Sequence, residues 1–322
     1  MSAFILSSLL LTACGSAGSS LDSSDSTSDT TAETTVVTAE PDFPDVDFGG
    51  EEIRFLTTEN PGFPVYTSIE IYAEEMDGSL LNDAVYSRNM KVEDRFNVEI
   101  TENRVEGSAS TARSSILAGD DEYDVVMPYM NDSISNALQG LYYNLYDVDN
   151  LHLENPWWDQ RANNDLTVEG NLYFSTGDIS ILDNECTVVM FFNKQLIEDF
   201  SLDNPYEMVA NGTWTFDKLF SMSSAVASDI NGDSQMTNDA DRFGIYMANN
   251  VPHSLFFASG ERIASTDKDG KLQIVMKNER STNIITYILE SCKSDSIMRD
   301  YKFDAQAFYN RSPPLMKAVC FL

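Results

Sequence analysis

The pattern richest in chemistry is Pro156-Trp157-Trp158. Two adjacent indoles in a loop cannot both enter one core, so at least one is expected to be exposed or to line a cleft. There a flat indole face can stack on the C–H face of a sugar ring. Core packing is the competing use for either ring. Trp214, within Asn211-Gly-Thr-Trp-Thr-Phe216, is a third candidate at a helix start. A second pattern puts an oxygen donor at every other position: Asp229, Asn231, Asp233 and Gln235. Alternate side chains of this kind converge on one ion as the chain turns, which is how a Ca²⁺ loop begins. The twelfth position, which should close the shell, is Ala240, and Gly232 is not at the usual sixth position. A one-residue expansion would bring in Asp241; the alternative is an Asx-rich surface turn. A structural Ca²⁺ here would act on stability rather than catalysis, and no cofactor is required.

Catalytic patterns are sparse. There is no nucleophile elbow, HExxH or P-loop glycine pattern, and the only histidines are His152 and His253. The four cysteines (Cys14, Cys186, Cys292 and Cys320) show no CxxC spacing, which argues against zinc. With 52 acidic residues, chance carboxylate pairs are expected, so a glycosidase pair is neither signalled nor excluded. Against those acids stand 20 Lys and Arg, a net charge of −32. Such a surface repels phosphate backbones and anionic headgroups, so nucleic-acid binding and electrostatic membrane docking are disfavoured. Neutral or cationic ligands remain.

Phe4-Ile-Leu-Ser-Ser-Leu-Leu-Leu11 has the length of a secretory signal core and is too short to span a bilayer. It runs into Leu11-Thr-Ala-Cys14-Gly15, which resembles the lipobox of bacterial lipoproteins, where the cysteine thiol receives a diacylglycerol. No Lys or Arg precedes Arg54, so the positive region of a signal peptide is missing and the natural start is expected upstream. Residues 16–38 then carry 13 Ser or Thr, four acids and no aromatic. Such a stretch cannot offset its chain entropy by burial and is expected to be a disordered tether. As a flexible coil it reaches roughly 25–30 Å. The expectation is a body held at the extracellular face of the cell membrane by a lipid on Cys14.

Within that body, residues 53–58, 98–100 and 123–128 read as strands, and 80–96, 111–118 and 131–141 as helices. The order β-α-β-α-β predicts an α/β sheet flanked by helices. Ligands of such sheets sit beyond the carboxyl ends of the strands, which singles out Glu59 and Asn60 after the first strand, and Tyr129, Asn131 and Asp132 after the third. Each could equally be a turn former or helix cap. Further strands are expected over 172–177, 187–192, 243–247 and 272–276, with helices after Lys194, over 214–227 (Thr215 as N-cap) and over 281–292.

Several short pieces together resemble the extracellular solute-binding proteins of carbohydrate ABC importers. They are the lipobox, Asn89-Met-Lys-Val-Glu-Asp-Arg-Phe-Asn97, Glu122-Tyr-Asp-Val-Val126, Asn155-Pro-Trp-Trp-Asp159 and Leu172-Tyr-Phe-Ser-Thr-Gly-Asp178. Phe191-Phe-Asn-Lys194, Asn204-Pro-Tyr-Glu-Met-Val209, Gly212-Thr-Trp-Thr-Phe-Asp-Lys-Leu219, Asp229-Ile-Asn-Gly-Asp233 and Asp241-Arg-Phe-Gly244 continue the series. The resemblance implies a two-lobed, type II periplasmic-binding-protein-like fold that binds a sugar between its lobes, has no catalytic residues, and works as a monomer with importer permease subunits. The expected ligand set is Glu59, Asn60, Tyr129, Asn131, Trp157, Trp158, Asp178 and Trp214. The expected organisation is signal and lipobox over 1–14, tether over 15–40, first lobe over 41–180, and crossover with second lobe over 181–322. Members of the family are longer, so a missing C-terminal part is also expected. An anchored extracellular glycosidase, or a peptide binder of the same fold, are the alternative functions.

Overall fold

The computed structural model describes residues 43–185, 187–237, 240–248, 251–300 and 320–321. The lipobox with Cys14, the tether and Cys186 lie outside them. The described chain opens with strand β1 (Glu51–Thr58), helix α1 (Leu80–Phe96), strand β2 (Val98–Val105), helix α2 (Ser108–Ala118), strand β3 (Val125–Met127) and helix α3 (Met130–Ala137). The three strands form a parallel sheet of order β2-β1-β3, so the β-α-β-α-β reading is observed.

Local sequence explains the boundaries. Ser79 caps α1 by accepting the Asn82 N–H, and the helix ends where Asn97 turns left-handed at φ 50°. α2 buries only small residues, Ser108, Ala109, Ala112 and Ser115, so it can lie close to the sheet. Its first residue meets β1 directly, with Thr58 Oγ1 and Ser108 Oγ 2.6 Å apart. The register of β3 is pinned by Asp124, whose carboxylate accepts the Arg54 N–H at 2.8 Å and the guanidinium at 2.9 and 3.0 Å. The Arg54 guanidinium holds the Asp124 carboxyl below the usual carboxylate range.

A loop-rich stretch follows, carrying helices α4 (Gln160–Leu166) and α5 (Ile181–Glu185). The strand expected over 172–177 is absent. That segment bonds to loops instead: Leu172 O accepts from Leu145 N–H at 2.7 Å, and Thr176 O accepts from Asp159 N–H at 3.0 Å. The strand expected over 187–192 shortens to β4 (Phe191–Phe192), and Val188 and Val189 stay exposed.

The remaining elements are α6 (Lys194–Asp199), α7 (Pro205–Ala210), α8 (Phe216–Val226), β5 (Ile245–Ala248), α9 (Val251–Ala258), β6 (Ala264–Thr266), β7 (Leu272–Ile274), α10 (Glu279–Ser291), β8 (Ile297–Asp300) and β9 (Cys320–Phe321). They build a second sheet of order β4-β9-β5-β8, with β9 antiparallel to β4 and parallel to β5, plus the β6-β7 hairpin. Polar caps start four of these helices: Asn193, Asn204, Thr215 and Asn278 each accept a backbone N–H. One apolar cluster joins α8, β5, α9, α10 and β8 through Leu219, Ile245, Leu255, Ile288 and Ile297. A second joins α6, α7 and α8 through Ile197, Met208, Met222 and Val226. Residues from the first stretch touch this second stretch through an Arg262–Asp165 ion pair at 2.5 Å and a Glu169 N–H bond to Gly270 O at 2.8 Å. Cys292 is a free, buried thiol beside Met247, and burial raises its pKa.

Candidate functional site

The carboxyl end of the parallel sheet gathers part of the expected set. Glu59 continues the pairing of β1, donating its N–H to Val105 O at 2.9 Å, and its side chain is exposed. Asn60 turns the chain. Its Oδ1 accepts the Phe63 N–H at 2.9 Å, and its own N–H donates to Thr67 Oγ1 at 2.9 Å. Its Nδ2 is left to donate to Tyr129 Oη at 3.1 Å, and that hydroxyl donates onward to Tyr66 O at 2.8 Å. Asn60 and Tyr129, 69 residues apart in sequence, are thus locked together at the edge of the sheet.

The same bonds hold a 3-10 turn, Pro64–Tyr66, which presents two aromatic faces. The Phe63 and Tyr66 rings stand 6.3 Å apart, tilted by 56°, and each is about 40% exposed (40% and 41%). Neither was singled out from sequence. The available signal was Pro61-Gly-Phe-Pro-Val-Tyr66, where two prolines fix a turn directly after a strand's carboxyl end. Asn131 lies on the exposed side of α3, one helical residue beyond Met130, and makes no hydrogen bond to this group among the described residues. Tyr129→Phe should break the Asn60–Tyr66 link, costing about 1 kcal/mol in urea unfolding. It should also weaken any solute bound at this edge, as titration calorimetry would read.

Trp157, Trp158 and Asp178 form a separate group. Both indoles are half-buried, and Trp158 Nε1 donates into its own loop, to Leu151 O at 2.9 Å. Asp178 donates its N–H to Trp157 O at 2.8 Å and leaves its carboxylate exposed. Gly177 lies against the backbone of both tryptophans. Trp214 joins neither group. It packs against both apolar clusters of the second stretch and lines an apolar cavity of about 200 Å³ with Phe192, Tyr206 and Met222.

The oxygen-rich loop is a closed set of local bonds. Asp229 accepts the N–H groups of Gly232 and Ser234 at 2.7 and 2.8 Å, and Asn231 Oδ1 accepts that of Asp233 at 2.9 Å. Asp233 accepts that of Gln235 at 2.8 Å. Asp241, 1% exposed, closes the loop from behind by accepting Ile230 N–H at 2.8 Å and Thr237 N–H at 2.7 Å. These are hard oxygen donors of the kind Ca²⁺ takes. Among the described residues, however, no three His, Cys, Asp or Glu side chains are placed to share a metal ion. The loop holds its shape through carboxylate-to-amide bonds.

Beneath the sheet edge sits one further polar group. Glu102 on β2, its side chain 4% exposed, accepts Thr57 Oγ1–H at 2.6 Å and Arg104 Nη2–H at 2.6 Å.

No protein-family model matches the chain, and no curated protein matches it. Among solved structures it is similar to an ABC substrate-binding protein of Listeria monocytogenes in complex with cycloalternan, at 12% identity and a TM-score of 0.47. The match covers 84% of this chain and 61% of that one. It is also similar to an N-glycan transport solute-binding protein of Streptococcus pneumoniae, at 14% identity and a TM-score of 0.42, covering 84% and 53%. A third is CpMnBP1 with mannotriose bound, at 16% identity and a TM-score of 0.42, covering 84% and 62%. The chain therefore spans between about half and three-fifths of the length of these proteins.

Proposed function

We propose that this protein captures a neutral, polyhydroxylated solute, a sugar or short oligosaccharide, at the carboxyl edge of its parallel sheet. The observation that carries the reading is the Asn60–Tyr129–Tyr66 lock beneath the exposed Phe63 and Tyr66 rings. Aromatic faces supply apolar area for the C–H faces of a pyranose, and fixed amide and hydroxyl groups beside them set its orientation. The net charge of −32 favours an uncharged ligand over an anionic one. The apolar run 4–11 with the lipobox at Cys14, together with the motif series from Asn89 to Gly244, adds the cellular reading. In it the protein is exported, held at the extracellular membrane face through Cys14, and hands the solute as a monomer to the permease of an ABC importer. It performs no chemistry on the solute.

A thermal-melt screen of the purified protein against glucose, maltotriose, mannotriose, raffinose and ribitol tests this. A ligand at about 100 times its Kd adds roughly 2.7 kcal/mol, a shift of several degrees. A rise with one sugar class supports the proposal and names the class. A cooperative melt that no sugar moves, but a peptide mixture does, replaces sugar with peptide. The same melts with and without Ca²⁺ report on the 229–241 loop, where a rise reversed by chelator and lost in Asp233→Ala supports a structural ion.

A further inference from the structure

The carboxyl edge of the sheet holds an arginine whose bonding is incomplete. Arg104 lies next to the end of β2, in register with Thr57 of β1. Registered residues of a parallel pair share a face, as do residues two apart on a strand, so Thr57, Glu102 and Arg104 form one row at the ligand end of the sheet. A buried carboxylate such as Glu102 requires compensation. It has it from the Thr57 hydroxyl and the Arg104 guanidinium, each at 2.6 Å. The Glu102–Arg104 pair is therefore neutral as a unit.

Arg104 itself is not satisfied. Its Nε is buried and has no hydrogen-bond partner, while 32% of the side chain remains open to solvent. A buried donor without an acceptor is unfavourable and points to a group that completes it. A cation is excluded by the guanidinium charge. An anion is opposed by the Glu102 carboxylate at 2.6 Å and by the net charge of −32. A neutral oxygen meets both restrictions, and sugar hydroxyls supply neutral oxygens in adjacent pairs that match the planar donor fork of a guanidinium.

We propose that Arg104 is a solute-contacting residue that donates to hydroxyl oxygens of a neutral sugar, with Glu102 cancelling its charge so that anionic sugars are not selected. The open third of the side chain gives the approach, so that sugar hydroxyls meet the guanidinium from its solvent side while Nη2 stays on Glu102. The inference rests on the carboxyl edge being the solute site.

The test is titration calorimetry with whichever neutral sugar of the screen gives the largest thermal shift. Arg104→Ala removes the donors but strands Glu102, so Arg104→Lys is the decisive variant: it keeps the compensating charge and loses the fork. Arg104→Lys should melt close to the wild type and bind about tenfold or more weakly. Glu102→Gln leaves the guanidinium uncompensated and should raise the affinity for glucose 6-phosphate relative to glucose, an effect that lost packing would not produce. Wild-type binding that Arg104→Lys leaves within twofold overturns this inference alone and assigns Nε to water. A wild type that binds no member of the panel removes both this inference and the site reading beneath it.

Discussion

Gly177→Ala is expected to destabilise the protein by about 2–3 kcal/mol, the range of a forced overpacking. A Cβ at this position would lie 2.2 Å from the Trp157 carbonyl oxygen and 2.9 Å from Trp158 Cα. Both are main-chain atoms, so no side-chain rotation relieves the contact. The loop cannot retreat freely either. Asp178 N–H is bonded to Trp157 O at 2.8 Å, Asp159 N–H to Thr176 O at 3.0 Å, and Trp158 Nε1 to Leu151 O at 2.9 Å. Urea unfolding followed by tryptophan fluorescence reads both consequences, a lower midpoint and an altered native emission. Asp178→Ala, which removes only an exposed carboxylate next door, should leave both unchanged. Equal behaviour of the two variants would contradict the close approach.

The second large effect is expected at Asp241. Its buried carboxylate accepts two backbone N–H groups from either side of the 229–241 loop, and replacing it by Asn turns one acceptor oxygen into a donor facing a donor. Asp241→Asn should lower the melting temperature at neutral pH by several degrees. The backbone N–H of Thr237, more than any other group, pulls the Asp241 pKa below its ordinary value. A depressed folded pKa means the folded state favours the charged form. The contribution is therefore complete above the unfolded value of about 3.9 and declines as pH falls through it toward the folded pKa. The gap between wild type and Asp241→Asn should accordingly be full at pH 6 and narrow below about pH 4. A gap that stays constant down to pH 3 would show that the carboxylate charge is not what holds the loop.

The first sheet was legible because its signals are local and agree with each other. The short strand at 53–58, the helical period of α1 and the stop at Gly119 all describe one β-α-β-α-β path. Thr215 was likewise legible as a cap, since its Oγ1 accepts the Lys218 N–H at 3.3 Å. Elements that depend on partners were not. Residues 172–177 have strand composition, but their hydrogen bonds go to loops at 144–145 and 157–159. α9 carries only His253 and Ser254 as polar residues, too few to mark a period, and exposes Phe257 beside buried Val251, Leu255 and Phe256.

The site divides in the same way. Topology alone leads to Asn60 and Tyr129, because the loops after adjacent parallel strands must meet. The Phe63 and Tyr66 platform needs the geometry of the Pro64–Tyr66 turn, which composition does not encode. Glu102 and Arg104, two apart on a strand, read in sequence as an ordinary solvated pair. Only their place beside Thr57 reveals a buried carboxylate and an arginine with a donor to spare.

Hydrogen exchange of the protein with and without the most stabilising sugar of the screen reads whether solute binds at the carboxyl edge of the parallel sheet. Slowed exchange is expected over residues 59–67 and 127–131, where the Asn60–Tyr129–Tyr66 lock carries the aromatic platform. Protection confined to the apolar cavity around Trp214 and Tyr206, with residues 59–67 unchanged, would contradict it.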